Sequence, residues 1–219
     1  MGILRCVRNS YGALKILYRL SGFLNLFCRR FDAQQNAELR ARAALPSGLL
    51  NGQGRAPLAE LPYGAWRMEK NGCEVIAAYN ALLALERPTS FPKVAEELER
   101  KGLLFNGFGG TNPAALEGFF RRKSIDCRLL RRRDADSYSA ALAEADCGIL
   151  SYWTGKRLRR PDRRWNTLHT VFIRRAAAGV EICNAALSAE APTRAESLSV
   201  FLQREDADPI CLLLLRKSG

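Results

Sequence analysis

The chain has 219 residues, 47% of them hydrophobic and 26% charged, with a formal net charge of +12. This length supports one sizeable core, and the balance is that of a globular chain rather than a disordered or fibrous one. No apolar run approaches the roughly 20 residues of a membrane span, and a basic balance alone attracts polyanions without making a specific nucleic-acid binder.

Residues 3 to 28 show helical periodicity. Leu4, Val7, Tyr11, Leu14, Leu17, Tyr18, Phe23 and Leu24 share an apolar stripe, with Arg8, Lys15 and Arg19 off it. A secretory signal would keep its apolar centre free of charge, so the segment reads as retained. The stripe needs cover, which the rest of the chain, a homodimer through the N-terminal helices, or a membrane surface could supply. Tyr11 and Tyr18 on the stripe and the polar helix that follows favour protein over membrane. That second helix spans 32 to 44, with Asp32 as its N-cap. The breaker from Pro46 to Gly54 sets a boundary between an extension, 1–55, and a main domain, 56–219.

In the main domain Asn71 and Gly72 precede a helix of about 14 residues that Pro88 stops, with Cys73, Ile76, Ala77, Asn80, Leu83 and Ala84 on one face. Ser90 caps a second helix with Pro92 in its first turn. Thr111 or Asn112 caps a third with Pro113 in its first turn. The period then changes to that of strands at 125–130, 147–153, 168–174, 180–185 and 209–215, with helical stretches at 137–145 and 193–203. Helices first and strands later predict an α+β fold, with an antiparallel sheet packed on helices.

There are seven cysteines, an odd number with no CxxC or zinc spacing, which suits a reducing, cytoplasmic setting and implies no metal site. Cys127, Cys147, Cys183 and Cys211 lie in strand-like runs as small hydrophobes. Cys73 opens a helix, where free N–H groups and the helix dipole favour a thiolate and can hold an oxyanion. His169 is the only histidine and stands in an apolar strand. Any imidazole base must be this residue. It falls on the Val171/Ile173 face, read as the inner one, and Asn184 on the next strand can orient it. Each residue alone is more simply packing, a satisfied core histidine or a turn. The order Cys, His, Asn on helix and strands points to thiol chemistry.

On these residues the chain from about 62 to 187 resembles the papain-like superfamily. It is most similar to the bacteriocin-processing, double-glycine-leader cysteine peptidases. The matching segments are Asn71–Leu82, Gly109-Gly110-Thr111, Leu168–Ile173 and Val180–Ala185. The resemblance implies a peptidase that hydrolyses a peptide or protein substrate through a Cys73 acyl-enzyme. His169 is then the base and Asn184 the orienter, with Gly109, Gly110 and Thr111 at the substrate and no cofactor. Arg67 stands where such enzymes carry a Gln that donates to the oxyanion, which leaves Asn71, or backbone N–H groups alone, as the candidate donor. That departure keeps a second reading open, an inactive papain-like fold that binds a peptide or partner. A nucleic-acid-binding protein is a third reading. It ranks last because only Tyr152, Trp153 and Trp165 lie near the basic clusters at 121–133 and 156–164.

Overall fold

The computed structural model describes residues 11–26, 28, 30–87, 89–107, 110–154 and 168–217, with backbone alone at 133–135. Helix α1 is Tyr11–Asn25, and α2 is Ala33–Ala41, capped as the sequence predicts by Asp32, whose carboxylate accepts from Gln35 N–H at 3.0 Å. A two-stranded hairpin, β1 (Pro62–Tyr63) and β2 (Trp66–Arg67), leads into the short α3 (Met68–Asn71). Helices α4 (Cys73–Ala84), α5 (Phe91–Gly102) and α6 (Ala114–Arg121) follow. Asn112 Oδ1 caps α6 by accepting from Ala114 N–H at 2.9 Å, whereas Ser90 makes no side-chain cap on α5.

The second half builds one antiparallel sheet in the order β3-β8-β4-β5-β6-β7. Its strands are β3 (Asp126–Arg131), β4 (Cys147–Trp153), β5 (Leu168–Ala176), β6 (Gly179–Cys183), β7 (Thr193–Ala195) and β8 (Asp208–Arg216). Helix α7 (Tyr138–Ala143) lies between β3 and β4, and α8 (Leu198–Arg204) between β7 and β8. The stretch 193–203, expected to be one helix, divides into β7 and α8. Ser197 is extended there and caps α8 by accepting from Val200 N–H.

The sheet has two inner faces, which is why its central strands read as continuous apolar runs rather than alternating ones. Ile149, Phe172, Cys183, Leu213 and Leu215 pack against α4, α5 and α6. Leu150, Val171, Ile173, Ile182, Leu212 and Leu214 pack under α7 and α8, against Tyr138, Leu142, Leu198 and Phe201. Each large apolar side chain so buried contributes about 1.5–3 kcal/mol.

A boundary at residue 55 does not separate two packing units. Leu50 belongs to the main core, with Phe31, Ala43, Leu45 and Leu49 against it. Asn80 exchanges two hydrogen bonds of 2.8 Å with the Leu50 backbone. From α2, Arg40 is fully buried and pairs with Glu99 through two hydrogen bonds of 3.0 and 2.8 Å. Asn36 and Gly64 N–H also donate to Glu99, at 2.8 and 2.6 Å. Nothing in the local pattern of 31–55 announces these partners, which lie 30 to 63 residues away.

Candidate active site

Cys73 opens α4 as expected, but the glycine before it has a different purpose. A Cβ on Gly72 would stand 2.8 Å from the Met68 carbonyl oxygen and sulfur, so Gly72 permits the tight join of α3 to α4. Cys73 is 6% exposed. Its thiol donates to Glu74 Oε2 at 3.0 Å. Thr170 Oγ1 donates to the other carboxylate oxygen at 3.1 Å and lies 2.9 Å from Ser151 Oγ, which reaches the Cys211 thiol. A polar chain thus runs from α4 across β5 and β4 to β8, inside the core.

The sulfur also faces two backbone N–H groups, those of Thr170 and Glu74, and both favour a thiolate. Burial and the neighbouring Glu74 charge work against it, and they hold the thiol well above its ordinary range. Burial also pushes the Glu74 carboxyl up, to about 7, against the hydrogen bonds from Cys73 and Thr170. The resting thiol is therefore protonated, and the expectation of an activated Cys73 thiolate does not hold for this state.

His169 lies opposite Tyr152 in the β4–β5 ladder, and the two rings meet edge to face at 5.8 Å. Strand alternation turns Thr170 and Phe172 toward α4 and places His169 with Val171 and Ile173 on the α7/α8 face. The face predicted as inner is inner, yet the thiol helix covers the other one. The link between the two is indirect: the thiol and the hydroxyl of Thr170, next along the strand from His169, share the Glu74 carboxylate. The thiol's hydrogen bond goes to Glu74 rather than to the imidazole.

The ring nitrogen Nε2 is 2.6 Å from the backbone carbonyl oxygen of Asn184. A carbonyl only accepts, so this bond assigns the hydrogen to Nε2 and leaves Nδ1 with the lone pair. Burial lowers the imidazole pKa, so the ring is neutral near pH 7 and can take a proton at Nδ1. Asn184 therefore orients the ring, but with its main chain rather than its amide. Its side chain is held by Gln53: Oδ1 accepts from Gln53 N–H at 2.8 Å and Nδ2 donates to Gln53 Oε1 at 3.1 Å. Asn184 also has φ 65°, a left-handed turn conformation in which Asn is enriched.

The other predicted site residues divide. Asn71 is buried beside the helix start, with its amide already donating to the Gly107 carbonyl at 2.6 Å. The Gln53 amide likewise donates to the Met68 and Glu69 carbonyls, at 2.7 and 2.9 Å. Neither amide is free for an oxyanion in this state. Thr111 is 1% exposed and bonded to Tyr63 Oη at 2.7 Å, a structural contact rather than a substrate-facing one. Gly110 takes φ 71° beside Asn71. Gly109, and the basic stretch 156–164, lie outside the described residues. In the cluster at 121–133, Arg121 pairs with Glu117, Arg122 and Lys123 with Glu97, and Arg132 with Asp208. Those acids lessen the attraction of that cluster for a polyanion. Among the described residues no group of three His, Cys, Asp or Glu side chains could hold a metal ion.

Sequence reading missed Glu74, Gln53 and Thr170. For Glu74 a signal exists: it is the only charged residue between Lys70 and Glu86. A lone carboxylate in an otherwise uncharged, buried helix is costly unless partnered. Comparison of the chain with protein-family models, with curated proteins and with solved structures gives no match.

Proposed function

We propose that the chain is a papain-like cysteine hydrolase of peptide amide bonds, with Cys73 as nucleophile and His169 as base. One observation carries this reading. The thiol at the start of α4 and Thr170, the residue after His169, share the Glu74 carboxylate, while the Asn184 carbonyl fixes the imidazole as the Nε2–H tautomer. The reaction requires a rearrangement on substrate binding, in which the thiol leaves Glu74 and the imidazole comes round the edge of β5 so that Nδ1 meets the sulfur. Nδ1 takes the thiol proton as sulfur bonds to the substrate carbonyl carbon and the carbonyl electron pair moves to oxygen. The oxyanion collapses, the C–N bond breaks, and the imidazolium returns the proton to the leaving amine. Water, deprotonated by the same nitrogen, then hydrolyses the thioester and frees Cys73. The two backbone N–H groups at the sulfur help the thiolate form.

The test uses a peptide aldehyde or vinyl sulfone as a trap, with intact-mass and peptide mapping. A single adduct on Cys73 is expected. His169→Ala should slow it at least about a hundredfold, the scale of a lost general base. Asn184→Gly, which keeps the carbonyl and the backbone conformation, should slow it far less. An adduct that forms equally fast without His169, or on another cysteine first, overturns the reading.

A second reading is favoured by the two engaged amides. With Asn71 and Gln53 both donating to backbone carbonyls, neither amide is free to hold an oxyanion, which supports a papain-like protein that binds a peptide without cleaving it. Peptide binding with no adduct and no hydrolysis would select it.

A further inference from the structure

We propose that helix α1 docks the protein on an anionic lipid surface. One side of the helix is fixed to the body of the protein. Tyr11 and Leu14 are buried against Ala114, Ile210 and Cys211, and Asn112 Nδ2 donates to the Leu14 carbonyl at 2.7 Å. At the other end, Asn25 Nδ2 donates to the Leu103 carbonyl at 3.2 Å, and Asn106 N–H donates to Asn25 Oδ1 at 2.9 Å. The helix is therefore presented as a rigid ridge rather than as a free arm.

Its outward side is apolar. Ile16, Leu20, Phe23 and Leu26 are 60, 48, 63 and 69% exposed. Their spacing of four, three and three residues makes one stripe, of the kind that marks an interaction surface. Beside the stripe stand the exposed Lys15 and Arg19. The sequence around it carries Arg5, Arg8, Arg29 and Arg30, and Asp32 is the first acidic residue of the chain.

That charge decides between occupants. A second copy seated on the stripe would bring two wholly basic segments together, and like charges at short range oppose the contact. An anionic bilayer offers the opposite charge and an apolar layer below it, so the same residues contribute twice. No helix among the described residues is long and apolar enough to cross a membrane, so the contact is interfacial, with the helix in the plane of the headgroups. The docking is independent of the proposed chemistry at Cys73.

The experiment is co-sedimentation of the full chain with vesicles of phosphatidylcholine alone or with about one-third phosphatidylserine, at low and high salt. Binding to the anionic vesicles should exceed binding to neutral ones about tenfold or more and weaken as salt rises. The double variant Ile16→Ser/Leu20→Ser should lose it about tenfold while its melting temperature holds, because both side chains are already exposed. Lys15→Glu/Arg19→Glu should lose it as well. No binding, or equal binding to both vesicle types, overturns the proposal. So does a concentration-dependent dimer that Ile16→Ser/Leu20→Ser dissolves in the absence of vesicle binding.

Discussion

Glu99 and Glu74 are both buried, and they are buried differently. Glu99 faces the Arg40 guanidinium through two hydrogen bonds and also accepts from Asn36 and the Gly64 N–H. Glu74 meets a thiol and a hydroxyl, and among the described residues no salt bridge compensates its charge. A paired carboxylate in the core fastens elements together. One that meets only weak, protic donors keeps its proton to higher pH and shares it with its neighbours. Glu99 ties α2 to α5 and to the hairpin, whereas Glu74 adds to the burial that keeps Cys73 protonated.

The largest effect should come from breaking the paired site. Arg40→Ala leaves Glu99 as an uncompensated buried charge, and a loss of about 3–5 kcal/mol is expected. Urea unfolding at neutral pH measures it. A loss under about 1 kcal/mol, the range of exposed pairs, would make the ion pair incidental.

The second effect separates the two acids by pH. The folded-state pKa of Glu74 is raised, to about 7, so folding favours its protonated form. Its contribution is fully present below the unfolded carboxyl value and is lost as pH rises through about 7. Stability should fall by a few kcal/mol, on the order of 3, across that window, and Glu74→Gln should flatten the slope. A slope that Glu74→Gln leaves unchanged would assign it to another group.

A third, smaller effect concerns the oxygen that joins the site to the sheet. Thr170→Val removes the hydroxyl donor to Glu74 and the partner of Ser151, at a cost of about 1–3 kcal/mol. The loss should be greater above pH 7, where Glu74 is ionised and needs the donor more. Equal losses at pH 5 and pH 8 would mean that the Thr170–Glu74 bond does not respond to the carboxyl charge.

The last is a change in reactivity near 1.4 kcal/mol. Removing the Glu74 charge lets the Cys73 thiol ionise more readily, so Glu74→Gln should raise its alkylation by iodoacetamide about tenfold at neutral pH. An unchanged rate would show that burial alone holds the thiol up.

Much of the framework is legible in the sequence, because periodicity is local physics. The helix start at Cys73, the Asp32 cap and the strands around Cys147, His169 and Pro209 follow from residues a few positions apart. The sequence also marks His169 and Asn184 as neighbours, since a short hairpin joins their strands. It does not say that the Asn184 carbonyl rather than its amide would hold the ring. That depends on Gln53, 131 residues earlier, which occupies the amide.

The tertiary structure alone decided the rest. Strand alternation gives His169 a side of the sheet, but which helix covers that side is set by chain crossings no periodic pattern encodes. For the same reason the stretch 31–55, polar and rich in breakers, reads as an appendage. It becomes part of the core only because Arg40, Leu50 and Gln53 find partners in distant elements. By itself the sequence determined two of the groups that could do chemistry, one imidazole and one helix-start thiol. Their protonation states were decided by burial and by neighbours brought from far along the chain, because the cost of a charge depends on what surrounds it in space.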